Sequence, residues 1–245
     1  MNRSLSRVRL FAGPNGSGKS AIKERVVETL GGRQIGVYLN PDEIERSWGA
    51  TGWIDLAHWG IAAPCRDILD FLENHPQVLR RDGDLRLPHL RMEGTALGCD
   101  TRVDSYLAAA LVDFLRHRLL DQGRDFCFES VMSSKDKVEF LESASNLGAR
   151  TYLYYVATED PEINVARVRD RVRKGGHDVP VDKIRSRYAR SLDLLLPAMR
   201  ASNRAFIFDN SRADLVFVAE LAEGELSVRT DSIPAWFDRC VLSRL

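Results

Sequence analysis

The stretch FAGPNGSGKS, residues 11–20, packs three glycines, a lysine and two serines into eight positions after the apolar run RVRLFA. From Gly13 to Ser20 it fits GxxxxGK[ST] at every fixed position, with a strand-like run before it and a helix-forming run after it. A polyphosphate needs several backbone N–H donors converging at short range. Gly13, Gly16 and Gly18 permit positive φ and close backbone approach, and a helix starting near Lys19 adds partial positive charge. Lys19 reaches the β- and γ-phosphates, and the Ser20 hydroxyl is a ligand for Mg2+. Gly13, Pro14, Asn15, Gly16, Ser17, Gly18, Lys19, Ser20 and Ala21 are therefore the candidate nucleotide-binding set. Such a loop binds ATP or GTP without naming the acceptor of a phosphoryl group.

Outward from this loop, short apolar runs alternate with longer helical patterns. That alternation predicts an α/β fold of three layers, with a mostly parallel sheet of five to six strands. Strands are expected at Val8–Ala12, Gly36–Leu39, Asp125–Phe128, Thr151–Ala157 and Ala205–Phe208, each apolar on both faces. Helices are expected at Lys19–Leu30, Ser105–Gln122, Lys135–Leu147, Pro161–Lys174 and Pro180–Arg200. The whole chain of 245 residues reads as one domain. It carries an Arg-, Asp-, Gly- and Pro-rich insert at about 73–104, an excursion on the sheet edge that includes a hairpin. A C-terminal extension at about 222–245 is read as an edge strand and a short helix docked through Trp236 and Phe237.

Composition limits the partners. Lys plus Arg and Asp plus Glu are 35 each, so net charge is zero and any anion site is local. No nucleic-acid or membrane partner is expected, and no run approaches the roughly 20 apolar residues that span a bilayer. The four cysteines form no CxxC pair and the N-terminus has no signal-peptide core, which points to a reduced, cytoplasmic protein without structural zinc.

Two strand ends carry acids where doubly wound sheets bind ligands. In GVYLNPDEIERSW, Asp42 and Glu43 follow Pro41; Asp42 is positioned either to take a proton from an acceptor hydroxyl or to cap the helix that follows. In DFCFESVMSS, Glu129 stands at a strand end, followed by Ser130 and Ser133. Glu129 either acts on Mg2+ through water, contacts the substrate, or caps a helix.

Residues 167–190, RVRDRVRKGGHDVPVDKIRSRYAR, hold nine Lys/Arg against three Asp. Arg167, Arg171 and Lys174 share one helical face, and Val165, Val168 and Val172 the other. In the second helix Ile184, Tyr188, Leu192 and Leu195 form the apolar stripe, with Arg187 beside it. A two-helix lid presenting Arg171 and Arg187 to a nucleotide fits, because a guanidinium fork stabilises charge on a transferring phosphoryl group. Arg169, Arg173 and Arg185 read as solvated surface. His177 either contacts phosphate or braces its turn.

Taken in order, GPNGSGKS, LNPDEIE, FCFESVMSS, the long YYVATEDPEINVARVRDRVRKGGHDVP block and FIFDNS resemble the zeta toxin family of P-loop kinases. The resemblance covers about residues 7–60 and 105–211 and is nearest to stand-alone members with a GGHDVP signature. It implies an ATP- and Mg2+-dependent kinase that phosphorylates the 3′-hydroxyl of UDP-N-acetylglucosamine, the toxin of a toxin–antitoxin pair with its antitoxin acting in trans. It implies Asp42 as catalytic base, Lys19 and Ser20 on phosphate and Mg2+, Glu129 in the substrate site, and Arg171 and Arg187 on ATP phosphates. Asn210, in DNS, falls on the adenine side, where Asp209 is either a site residue or a structural turn residue. The chain departs from the family at Val131, where a threonine is common, and in a longer, more polar segment at 48–104. Both departures bear on the acceptor. The rivals are a kinase of another small hydroxyl metabolite and an ATP-gated interaction module.

Overall fold

In the computed structural model, residues 6–31, 35–79, 89–176 and 178–245 are described. In chain order the elements are β1 (Arg7–Ala12), α1 (Lys19–Leu30), β2 (Val37–Leu39), α2 (Pro41–Thr51), β3 (Trp53–Asp55), α3 (Cys65–Glu73), α4 (Pro76–Leu79), β4 (Leu90–Glu93) and β5 (Ala96–Cys99). They continue with α5 (Ser105–Asp121), β6 (Phe126–Ser130), α6 (Asp136–Asn146), β7 (Arg150–Ala157), α7 (Pro161–Arg173), α8 (Val181–Asp193) and α9 (Leu195–Arg200). The chain closes with β8 (Arg204–Asp209), β9 (Val216–Ala222), β10 (Glu225–Val228) and α10 (Ala235–Cys240). These form two compact units: the chain up to Gly36 with Asp125–Leu245, and Val37–Arg124.

In the first unit six strands lie in the order β10-β9-β8-β7-β1-β6. β1 pairs in parallel with β6 and β7, and β7 with β8, whereas β9 and β10 return antiparallel. The sheet is thus mostly parallel and covered by helices, as the alternation of runs predicts. Register puts Phe11, Tyr154 and Phe206 side by side on one face, where Phe11–Tyr154 and Tyr154–Phe206 stack at 5.1 and 5.0 Å. The opposite face carries Phe126, Phe128 and Tyr155, against Phe140 of α6 and Trp236 of α10. Trp236 and Phe237 are fully buried, so the C-terminal helix docks through the two residues the sequence singles out.

Three elements differ from expectation. The helix expected over Pro180–Arg200 is two, α8 and α9, because Pro197 has no N–H to bond back to Asp193 and so fits only in the first turn of a new helix. β9 goes unread in VFVAELA, whose Ala, Glu and Leu suit a helix equally well. The hairpin of the insert forms, β4 and β5 joined through Gly94 and Thr95, but it belongs to a separate antiparallel sheet, β3-β5-β4, rather than to the edge of the larger one.

The second unit is organised on α5, which buries eleven residues, and α2, α3 and α4 pack on it. All four cysteines are free thiols, and burial pushes the Cys127 thiol up to about 12. Among the described residues no helix is long and apolar enough to cross a membrane.

Candidate nucleotide site

The loop between β1 and α1 leaves the sheet at the C-terminal end of its strands. Gly13, Gly16 and Gly18 have φ of +141°, +73° and +107°, a region side-chain-bearing residues avoid. The space around them explains the glycines more sharply. A Cβ on Gly13 would lie 2.0 Å from the Val156 carbonyl oxygen, one on Gly16 2.8 Å from the Asn164 carbonyl oxygen, and one on Gly18 2.3 Å from Asn210 Nδ2. The glycines are required by the protein wall behind the loop, and a positive-φ turn of this kind before a helix is the backbone that forms an anion-binding nest. Lys19 folds back, its Nζ donating to the Gly13 and Pro14 carbonyls at 3.0 and 3.1 Å. Ser20 and Ala21 are exposed in the first turn of α1.

The basic helices stand on the same unit. Val165, Val168, Val179 and Ile184 form a small core between α7 and α8, with Val172 and Val181 against it. That core leaves the arginine face of α7 away from it. The helix ends in a glycine pair for two reasons. Gly175 takes φ +84° and donates to Val172 O, while Gly176 donates to Arg171 O at 3.0 Å, the bonding pattern of a Schellman stop. Gly176 also leaves room for the Arg171 side chain, whose Cγ would lie 2.6 Å from a Cβ there. Arg167, one turn before Arg171, has its Nη1 buried without a hydrogen-bond partner among the described residues. A buried guanidinium nitrogen without an acceptor is costly, and an anion is the natural remedy. The face shared with Arg171 was legible in the periodicity; the orphaned nitrogen needed coordinates. Arg187 is half-buried and pairs with no carboxylate among the described residues. Arg173 pairs with Asp170 and Arg185 with Glu162, as surface residues do. His177 lies outside the described residues.

On the acid side, Glu129 sits in β6, its side chain 10% exposed, with Lys23 Nζ of α1 at 4.0 Å. Ser130 Oγ accepts from Met132 N at 2.9 Å and its carbonyl receives Gly13 N at 3.3 Å, so it shapes the turn beside the loop. Ser133 is half-buried. Asp209 is a structural residue: its buried carboxylate accepts from Ser211 N, Ser211 Oγ and Trp236 Nε1 at 3.0, 2.7 and 2.6 Å.

Asp42 and Glu43 belong to the second unit, in the first turn of α2, and both are exposed. The cap of that helix is Asn40, whose side chain accepts from Asp42 N at 2.9 Å and donates to Tyr38 Oη at 2.8 Å. The Asp42 carboxylate is therefore not spent on capping.

Residues 104–215 match the zeta toxin family model. Over 74 residues the chain is 32% identical to an uncharacterized protein of Haemophilus influenzae, an overlap of 30% of this chain and 53% of the relative. The fold is similar to the crystal structure of the AvrRxo1-ORF1:AvrRxo1-ORF2 pair with sulphate ions, at 14% identity and TM-score 0.59, covering 92% of this chain and 61% of that one. It is also similar to the structure of that pair with ATP, at 13% identity and TM-score 0.56, covering 93% and 61%. The chain thus spans about half the length of the curated relative and under two thirds of these structures.

Proposed function

With residues 104–215 related to the zeta toxin family, we propose that the protein is an ATP-dependent phosphotransferase of the zeta toxin kind, moving the γ-phosphoryl group to a hydroxyl of a nucleotide sugar. The observation that carries this reading is the glycine nest of Gly13, Gly16 and Gly18, with the orphaned Arg167 nitrogen on α7. Glycines that permit close backbone approach, and a guanidinium nitrogen of the same unit without a partner among the described residues, both suit a polyphosphate. Lys19 turns from the loop carbonyls to the phosphates, and Arg167, Arg171 and Arg187 offset the charge that develops in transfer. Ser20 would hold Mg2+, with Glu129 acting on it through water or on the substrate; the ion neutralises phosphate charge when bound.

Asp42 is the proposed base toward the acceptor hydroxyl, with Glu43, Glu129, Ser130 and Ser133 as proposed substrate contacts. UDP-N-acetylglucosamine, phosphorylated at its 3′-hydroxyl, is the proposed acceptor, and an antitoxin chain the proposed partner. Val131, where the family often has threonine, favours a second reading, a kinase of another small hydroxyl metabolite. The test is ATP consumption over a panel of nucleotide sugars and nucleosides. Acceptor-dependent turnover with UDP-N-acetylglucosamine supports the first reading, and turnover with a different acceptor the second. ATP binding without any acceptor-dependent turnover contradicts both and leaves the interaction module.

A further inference from the structure

A nest that aims its N–H groups inward must aim its carbonyls outward, and a buried carbonyl needs a donor. Gly13 O and Pro14 O take Lys19 Nζ, and Pro14 O also receives Ser17 N at 3.2 Å. Asn15 O receives Asn164 Nδ2 at 2.6 Å, and Ser17 O receives Asn210 Nδ2 at 2.7 Å. When Lys19 turns to a nucleotide its bonds to the Gly13 and Pro14 carbonyls are lost, and the two asparagine bonds stay.

Both asparagines are themselves fixed. Asn164 is fully buried in the first turn of α7, and its Oδ1 accepts from Thr158 Oγ1, whose residue in turn accepts Tyr188 Oη of α8 on its carbonyl at 2.6 Å. Asn210 donates its backbone N–H to Ala157 O at 2.8 Å and follows Asp209, locked by Trp236 and by Ser211. Ser211 Oγ also accepts from Glu159 N at 2.8 Å. Positions 16 and 18 are the two at which a Cβ would strike Asn164 and Asn210.

We propose that Asn164 and Asn210 are positioning residues that clamp the phosphate-binding loop from its outer side and hold its N–H groups ready for a polyphosphate. The proposal rests on the reading of that loop as an ATP site. The test uses Asn210→Asp, which keeps the shape but sets an oxygen against the Ser17 carbonyl, with Asn164→Ala as the second arm. Two quantities are read: amide hydrogen exchange of residues 13–20 without nucleotide, and the Kd for ATP by calorimetry. The expected result is exchange at 13–20 faster by about fivefold or more, the size of one net hydrogen bond, with β6 and β7 amides unchanged and ATP binding weaker by a similar factor. Unchanged exchange at 13–20 in Asn210→Asp overturns the clamp. So does acceleration spread evenly through β6 and β7, the signature of a merely structural role. If the unaltered protein binds no ATP, the ATP reading fails, and the exchange result alone decides the clamp.

Discussion

Asn40 and Asp42 sit two residues apart and separate stability from chemistry. Asn40 satisfies a helix N-terminal donor, so Asn40→Ala is expected to cost about 1 kcal/mol and to lower Tm by about 2–4 °C for a chain of this size. Asp42→Ala leaves that bond in place; it is expected to hold Tm within about 1–2 °C, because surface changes usually fall within about 0.5 kcal/mol. If Asp42 is the base, its loss lowers acceptor-dependent kcat by about 10²–10⁴-fold. Thermal melts and turnover on both variants check the pair. The sequence left capping and catalysis open at Asp42 because an acid in a first turn serves either; the hydrogen bond that separates them belongs to Asn40. The glycines were legible as a phosphate loop from spacing alone, but not the reason each is glycine, since Val156, Asn164 and Asn210 lie far along the chain.

At the scale of elements, α7 was readable because a helix advertises its faces every 3.6 residues. Arg167→Ala is expected to lower kcat more than it weakens ATP binding, because charge on the phosphoryl oxygens is greatest in transfer. Equal losses in kcat and affinity would make it a ground-state anchor. β9 was harder to read, being an antiparallel addition whose residues meet partners only through register. Glu220 of β9 shows this: Arg204 hydrogen-bonds its carboxylate and Arg229 reaches it at 3.1 Å, and the pair holds its carboxyl below the ordinary 4.5. A depressed folded value stabilises above the unfolded pKa and fades as pH falls through the folded one. Glu220→Gln is therefore expected to melt below the unaltered protein at pH 7, with the gap closing as pH drops below about 4. Melts across that range check it; a constant gap would mean packing alone.

Over the whole molecule, the alternation of apolar runs and helical patterns announced the parallel sheet, and the family match over 104–215 falls on the α5–β8 stretch, where the resemblance was densest. The second unit was the least legible: its small sheet is made of strands three or four residues long, too short to show a period. The two units divide the proposed chemistry, with the nest and arginines on one and Asp42 on the other. The central claim is that the chain moves a phosphoryl group from ATP to a hydroxyl. The direct measurement is transfer of γ-labelled phosphate from ATP to UDP-N-acetylglucosamine and the wider panel, with Lys19→Ala and Asp42→Ala beside the unaltered protein. A labelled, acceptor-dependent product that both variants lose is the expected result. Transfer by Asp42→Ala at the full rate, or ATP bound with no labelled product from any acceptor, would contradict it.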